Sequence, residues 1–493
     1  MSNKNITVDH KKCEISKKIV LSGVEWSDLQ EKATQELMKN LKLDGFRKGK
    51  VPANIAKKHI SKPAIYEQSI NKYLNANLKS IFEELQKEND KIINVTPLTD
   101  IKKISDEEVE ISIVYPLDVD FSRLSFENIN VKFDLPKTTK ENIDTYIQEK
   151  LNANALQVPL KGKEKTKLGD TVTLNYKGFV NEEAFDGGEA KNFDLKLGSK
   201  TFIDTFEEQL MGKPVGYKGE VVVTFPKEYP VDKLAGQKAT FDVEIVEAKR
   251  PEEIKLTDEN VSLLRAGAAR TVVEAKDSLK WILLNNNVEL SLSDFLDKYV
   301  AAVLEKNEIS LNDRLVAHQA DAKLKEVIAQ LKQQEIKFDE YLKVLGKTEA
   351  EFKKLVFDEE KQNIKFALIA QHLIKEVATE NNEPTEQELN AFINATVAST
   401  GLPAAFIKLY FLNDENNKKS INSRLIDRRN LTALLLKADA EKGKKLVKIE
   451  QELNDNLAKI AEEWTKRAEE LKQAKEKEKE QELSEQSEDP KSE

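Results

Sequence analysis

The chain has a single cysteine, Cys13, among 493 residues. No internal disulfide can form, which fits a reducing compartment. Four histidines, His10, His59, His318 and His372, stand far apart, and no Cys/His spacing of a metal site occurs. Apolar runs of about 18 residues are absent, so no membrane span is predicted. Met1 to Lys18 is polar and lysine-rich, with no apolar stretch for a signal sequence. A soluble cytoplasmic protein is therefore expected. Gly346-Lys347-Thr348 has the ending of a phosphate-binding loop, but Tyr341 stands where the upstream glycine is required. ATP use, a cofactor and a metal are not expected, and no Gly-x-Ser-x-Gly nucleophile elbow occurs.

What is present is charge. Charged residues make up 33% of the chain, hydrophobic residues 39% and aromatic residues 7%. That balance predicts much exposed surface relative to core, as in elongated helical proteins. Net charge is −9, which excludes a generic nucleic-acid binder, so affinity for RNA must come from a local basic patch. The length predicts two to four domains.

Residues 1–115 read as an α+β block. Ile15 to Leu21 is a strand, and Ser27-Asp28-Leu29-Gln30 resembles a capping box that opens a helix carrying Leu29, Ala33, Leu37 and Leu41. A second helix is marked by Ile70, Leu74, Leu78, Ile81, Phe82 and Leu85. Val109, Ile111, Ile113 and Tyr115 alternate as a half-buried strand does. Residues 116–160 read as a linker with one helix near 140–156.

From 161 to 250 the composition changes, with ten of the 17 glycines between Gly162 and Gly236. Strands are predicted at Thr171–Tyr176, Phe193–Leu197, Gly219–Phe225 and Ala239–Val246, with a helix over Phe202–Leu210. An antiparallel sheet with one helix packed on it follows. Residues 251–445 show helical periodicity, broken at Gly401-Leu402-Pro403 and resuming to about Asp439. The last segment, 446–493, reads as a charged helical tail, with Leu453, Leu457, Ile460, Trp464 and Leu471 near heptad spacing and frayed helix passing into disorder after Leu471.

Two segments carry chemistry. The first is Gly45-Phe46-Arg47-Lys48-Gly49-Lys50-Val51-Pro52, between two predicted helices. From Lys39 to Lys58 there are seven basic residues and one acidic residue, a local +6. Such a patch suits a phosphate backbone or an acidic protein surface. On composition alone, a solvated loop with incidental lysines is the default reading.

The second is an aromatic series: Leu174-Asn175-Tyr176-Lys177-Gly178, Phe185-Asp186-Gly187-Gly188, Phe193 to Gly198, Phe202 to Glu207, Val223 to Pro226 with Tyr229, and Ala239 to Val243. Phe225 reads as core. Phe185, Phe206 and Phe241 read as core or pocket, because aromatics serve packing so often. Asp186, between phenylalanine and two glycines, needs solvent or a hydrogen-bond partner.

Both segments carry a resemblance. Gly-Phe-Arg-x-Gly-x-x-Pro is the signature of the trigger factor family, and residues 45–52 match it at every fixed position. Residues 161–248 resemble an FKBP-type prolyl isomerase. The order of the three regions is that of trigger factors to about residue 440, with the match weakest around Gly267–Asn287. The resemblance implies a multidomain α+β fold: an N-terminal α+β ribosome-docking domain, an FKBP-like antiparallel sheet plus helix, and an all-α C-terminal domain with helical arms. It implies an ATP-independent chaperone that binds nascent polypeptides at the tunnel exit and isomerises X–Pro bonds. Its partners would be the large ribosomal subunit near the exit tunnel, through protein and rRNA, unfolded nascent chains, and a second copy in a weak homodimer off the ribosome.

The resemblance assigns residues as well. Gly45, Phe46, Arg47, Lys48, Gly49 and Pro52 would dock the ribosome. Tyr176, Phe185, Asp186, Phe193, Ile203, Phe206, Tyr229 and Phe241 would form the isomerase site. Phe206 stands where many single-domain members have tryptophan, and Asn181-Glu182 lacks the glycine often found at that hairpin turn. Two other readings compete: a cytosolic prolyl isomerase whose flanks recruit substrate without ribosome docking, and a scaffold whose pocket binds peptides without turning them over.

Overall fold

The computed structural model describes residues 5–47, 50–161, 163–227, 229, 231, 233–267, 269–379 and 383–487, the side chains of Asp186 and of residues 478–487 excepted. Lys48 and Gly49 of the signature loop lie outside the described residues. The chain divides into two compact units: Met1–Glu127 with Leu304–Gln330 and Lys353–Phe366, and Asn128–Val303 with Leu331–Phe352 and Ala367–Glu493.

In the first unit, β1 (Ile6–Asp9) and β2 (Glu14–Ser22) lead into α1 (Gly23–Asn40), α2 (Ala53–His59) and α3 (Lys62–Glu88), followed by β3 (Leu98–Ile104) and β4 (Glu108–Pro116). The strands form one antiparallel sheet in the order β1-β2-β4-β3. Alternation does what it predicts: Val109, Ile111, Ile113 and Tyr115 are buried against Ile15, Ile19 and Leu21, while α1 and α3 cover the same face through Trp26, Ile70, Leu74, Ile81 and Leu85. The capping box expected at Ser27 does not form. The helix starts at Gly23, directly after β2. That start buries Trp26 completely, its indole N–H donating to the Ser105 carbonyl at 2.9 Å, and Gln30 donates instead to the Asp106 carbonyl.

Residues from the helical region complete this unit. The Cys13 thiol donates to the Ser310 carbonyl at 3.0 Å, and the buried Asn312 amide donates to the carbonyls of Lys12 and Cys13. Burial holds the Cys13 thiol above its ordinary value, with Asp118 and Asp9 adding to the effect. Residues 304–330 and 353–366 therefore pack with the N-terminal sheet. The single helical domain expected over 251–445 is divided. Periodicity marks these stretches as apolar-faced but says nothing of which distant surface the face meets.

The second unit begins with α4 (Lys140–Asn154), capped by Thr139 and Asn142. It lies within the segment read as a linker, yet Ile147 and Leu151 pack with Val261, Leu264 and Leu279. The sheet follows: β5 (Gln157–Pro159), β6 (Thr171–Val180), β7 (Glu183–Lys196), α5 (Phe206–Leu210), β8 (Lys218–Thr224) and β9 (Lys238–Pro251). All pairings are antiparallel, in the order β5-β9-β6-β7 with β8 also on β9. The β6–β7 hairpin turns on Asn181 and Glu182, both at positive φ (51° and 68°), so the turn is made without glycine. Arg250 near the end of β9 makes two hydrogen bonds, 2.9 and 2.8 Å, to the carboxylate of Asp170 just before β6, a buried acid thereby compensated.

Helices make up the remaining elements: α6 (Val272–Lys306), α7 (Asp313–Gln333), α8 (Phe338–Leu345), α9 (Glu349–Lys375), α10 (Glu386–Thr400), α11 (Ala404–Ile407), a π-helical turn (Lys408–Leu412), α12 (Glu415–Ala438) and α13 (Ala440–Ser487). No single described helix is long and apolar enough to cross a membrane. α13 is not a detached tail. Leu446, Leu453, Leu457 and Ala461 are buried in one stripe against α10 and α12. A Cβ on Gly443 would stand 2.8 Å from the Leu436 Cα, so the α12–α13 turn is as tight as glycine allows. The helix is described to Ser487.

Candidate functional site

The aromatic residues of the middle region converge because the sheet register brings them together. Tyr176 on β6 lies opposite Val243, and Gly178 lies opposite Phe241 on β9. Phe185 and Phe193 come from β7, Phe206 opens α5, and Ile203 and Tyr229 join from loops. The Tyr176 ring meets Phe193 at 6.1 Å, Phe202 at 5.3 Å, Phe206 at 6.4 Å and Phe241 at 6.2 Å, all edge-on. Phe206 and Phe241 contact at 5.3 Å, and Phe185 meets Phe241 at 5.8 Å. Phe206 and Phe241 are buried and form the floor. Tyr176, Phe185, Phe193, Ile203 and Tyr229 are partly buried around it. Phe225 is core, as expected, with Phe185 and Tyr229 against it. Burial raises the Tyr176 phenol above its ordinary value, so it remains a hydrogen-bond donor at neutral pH. The backbone of Asp186 lies on β7.

Two glycines seat the Phe185 ring. A Cβ at Gly178 would lie 2.6 Å from the Phe241 ring and 2.7 Å from that of Phe185, and one at Gly188 would lie 2.7 Å from Phe185. Both neighbours are rings held by packing, so neither gives way cheaply. Gly178→Ala is therefore expected to displace Phe185 and lower isomerase kcat/KM about tenfold, with a loss of about 1–3 kcal/mol in domain stability. Peptide isomerisation and denaturant unfolding of the variant check this; unchanged kcat/KM would separate Phe185 from the reaction.

The reading of the sequence missed two residues here. Phe202 stacks on Phe206 at 4.4 Å and contacts Tyr176 and Phe193. Glu207, 8% exposed, gathers the loop that carries Phe202. Its carboxylate accepts the N–H groups of Gly198 (2.6 Å), Lys200 (3.2 Å), Thr201 (2.9 Å) and Phe202 (3.2 Å) and the Ser199 hydroxyl (3.2 Å). Chemically, the arrangement is an apolar, mainly aromatic cluster whose outer members, Tyr176, Phe185, Phe193, Ile203 and Tyr229, are only partly buried. Among the described residues no cluster of potential metal ligands occurs.

The basic loop joins α1 to α2. Gly45 takes φ +89°, which favours glycine, and the Phe46 N–H returns to the Leu43 carbonyl at 3.0 Å. That tight turn leaves Phe46 39% exposed, with Arg47 and Lys50 also exposed. Pro52 caps α2, its carbonyl accepting from Ile55 and Ala56 at 2.9 Å.

An antiparallel sheet wrapped on a short helix and an aromatic recess define an FKBP-type peptidyl-prolyl cis-trans isomerase domain, and the profile of that family matches residues 162–246. The flanks match as well: "Bacterial trigger factor protein (TF)" over residues 4–150 and its C-terminus over residues 271–437. The trigger factor of Mesomycoplasma hyopneumoniae (strain 232) is 30% identical over 417 residues, covering 84% of this chain and 88% of the relative. That of Malacoplasma penetrans (strain HF-2) is 31% identical over 78% of this chain and 89% of its own. That of Clostridium beijerinckii is 31% identical over 71% and 80%. The chain belongs to the trigger factor family of chaperones, and it carries that family's isomerase domain.

Proposed function

We propose that this chaperone docks on the large ribosomal subunit through Gly45–Pro52, holds unfolded nascent chains as they leave the exit tunnel, and turns over their X–Pro bonds in the recess around Tyr176 and Phe241. The observation that carries docking is the loop itself: a large aromatic, Phe46, held out beside Arg47 and Lys50 in a segment of local charge +6 within a chain of net −9. An exposed ring among cations suits a surface of phosphate and protein together.

The recess suits isomerisation. Rotation about the amide has a barrier of about 18–20 kcal/mol because resonance is lost in the twisted state. The twisted bond is less polar than the planar amide, so a water-poor aromatic cavity favours it over the ground state. No nucleophile is required. Tyr176, Phe185, Asp186, Phe193, Ile203, Phe206, Tyr229 and Phe241 are assigned to this site. A further surface suits unfolded chains: Phe406, Leu409 and Tyr410 around the π-helical turn are 44%, 66% and 61% exposed, and Phe406 and Tyr410 stack at 5.6 Å.

The test is co-sedimentation with ribosomes of the same organism at two salt concentrations. The wild type is expected to bind, more weakly at high salt, and the Phe46→Ala, Arg47→Ala, Lys48→Ala triple variant to lose at least tenfold in affinity with peptide isomerase activity intact. A wild type that ignores cognate ribosomes would leave a cytosolic isomerase with substrate-recruiting flanks. Parallel loss of both activities in a folded variant would sink the division of labour.

A further inference from the structure

A helix from outside the isomerase domain touches the edge of its aromatic cluster. The segment Leu331–Phe352 belongs to the second unit, and within it α8 ends against two stretches that carry site residues. A Cβ built on Gly187 of β7 would lie 3.3 Å from Val344 Cγ1. A Cβ built on Gly346, the residue that ends α8, would lie 3.9 Å from Val231 Cγ1. Gly187 closely follows Phe185 along the chain, and Val231 closely follows Tyr229. Phe185 and Tyr229 both rest on Phe225, at 5.8 and 4.6 Å, so the two stretches are neighbours and the end of α8 meets both.

Packing separates Val344 from the rest of α8. The rings of Phe338 and Tyr341 meet Phe352 edge-on at 5.7 and 5.8 Å, and Leu342 is buried, so these residues form the inward face. Asp339, Glu340 and Lys343 are exposed. Val344 is also 42% exposed, an apolar side chain on the outer side of a helix whose other outer residues are charged. Its branched side chain has one strongly preferred rotamer in a helix, which fixes its methyl groups. The helix closes on Gly346 at φ +65°, whose N–H returns to the Lys343 carbonyl at 3.0 Å, while the Lys347 N–H returns to the Leu342 carbonyl at 3.1 Å. That cap sets where α8 stops. Gly187 has no side chain to hold Val344 off, so the valine reaches the β7 backbone directly beside Asp186.

We propose that Val344 is a specificity-determining residue of the isomerase: it narrows the outer edge of the site and selects against bulky side chains beside the proline. A prolyl peptide held among Tyr176, Phe185 and Phe241 continues on both sides of the proline. It leaves past the outer, partly buried members of the cluster. Beside Phe185 and Tyr229 that way is taken by the end of α8. A small flanking residue passes under Val344, whereas an aromatic one competes with it for the space over Gly187. Such competition weakens binding before any bond rotates, so it is read in KM rather than in kcat. The inference rests on the assignment of isomerisation to this aromatic cluster.

The experiment follows isomerisation by NMR exchange with the full chain and two peptides that differ only beside the proline: alanine on both sides, or phenylalanine on both sides. Val344→Ala removes two methyl groups and keeps a good helix former at a half-exposed position. It is expected to raise kcat/KM for the phenylalanine-flanked peptide about threefold or more, through KM, and to leave the alanine-flanked peptide unchanged. Val344→Trp enlarges the wall and is expected to lower kcat/KM for the phenylalanine-flanked peptide about tenfold, again with little effect on the other. A merely structural role would move both peptides alike. An unchanged ratio between the peptides in Val344→Ala, or a higher rate for the phenylalanine-flanked peptide in Val344→Trp, overturns the proposal. The alanine variant decides alone if the tryptophan variant does not fold. Phe241→Ala is measured alongside. If it keeps wild-type turnover while folded, the assignment of the reaction to this cluster fails. If it loses turnover while Val344→Ala leaves the peptide ratio unchanged, only the role of Val344 fails.

Discussion

Phe241→Ala is expected to lower isomerase kcat/KM toward an X–Pro peptide at least a hundredfold. The same change is expected to cost the domain about 3–5 kcal/mol of stability, the usual range for removing a buried phenylalanine ring. Phe241 is 5% exposed and sits at the centre of the recess, in contact with Tyr176, Phe185 and Phe206 at 6.2, 5.8 and 5.3 Å. Losing the ring removes the common edge of three others and leaves a void that adjoins the recess. Water entering there removes the advantage of the twisted amide over the planar one, so kcat falls further than binding weakens. A hundredfold loss corresponds to about 2.7 kcal/mol of transition-state stabilisation. Phe241→Leu keeps most of the apolar volume and separates the two effects: stability returns nearly to wild type, while the rate recovers only in part. Kinetics are read at a temperature where circular dichroism reports each variant folded. A folded alanine variant with wild-type turnover would move the reaction out of this recess.

The sequence discloses local matters well and distant ones poorly, for a physical reason. Val109 to Tyr115 reveals its inward face because a strand alternates with period two, and burial against α1 and α3 enforces that period. Strands β6, β7 and β9 are longer than their apolar runs because backbone pairing continues through polar residues such as Glu247 and Lys249, which pair with Thr173 and Thr171. The helix after β2 was misplaced at Ser27 because capping residues compete with a stronger demand, the burial of Trp26. Most of the aromatic recess was legible from its motifs. Phe202 and Glu207 were not assigned, since a carboxylate that binds backbone amides leaves no periodic trace. Nor does a stripe such as Leu446, Leu453, Leu457 and Ala461 reveal whether it meets a partner helix or hangs free.

Glu207→Gln is expected to lower kcat/KM by ten- to a hundredfold through the loop at Gly198–Phe202, without altering any ring. In the native carboxylate one oxygen takes the N–H groups of Gly198 and Lys200, and the other takes those of Thr201 and Phe202 with the Ser199 hydroxyl. Glutamine keeps one acceptor and turns an NH2 donor toward N–H donors at the other. Hydrogen bonds to a charged group contribute about 1.5–3 kcal/mol, and about 1.4 kcal/mol is tenfold in rate. The loop needs this clamp, because Lys200 at φ 57° and Thr205 at φ 75° hold left-handed conformations that non-glycine residues adopt at a cost. Burial alone would raise the Glu207 carboxyl, but the N–H groups of Phe202, Gly198 and Lys200 and the Ser199 hydroxyl outweigh it and hold it below the ordinary value of 4.5. A group depressed in this way lends its full stabilisation above the ordinary value and loses it as pH falls through the lowered one. Wild-type activity is therefore expected to hold from neutral pH down to the ordinary value of 4.5 and to decline as pH falls through the lowered one, whereas Glu207→Gln stays low and flat across that range. Glu207→Asp, which keeps the charge on a shorter stem, is expected to fall between the two. Because Phe202 packs on Tyr176 and Phe193 while the Glu207 carboxylate is taken up by the donors of its own loop, the loss is expected mainly in KM, with faster amide exchange at Lys200–Phe202. A loss confined to kcat with the loop still protected would assign Glu207 to the chemistry rather than to the placement of Phe202.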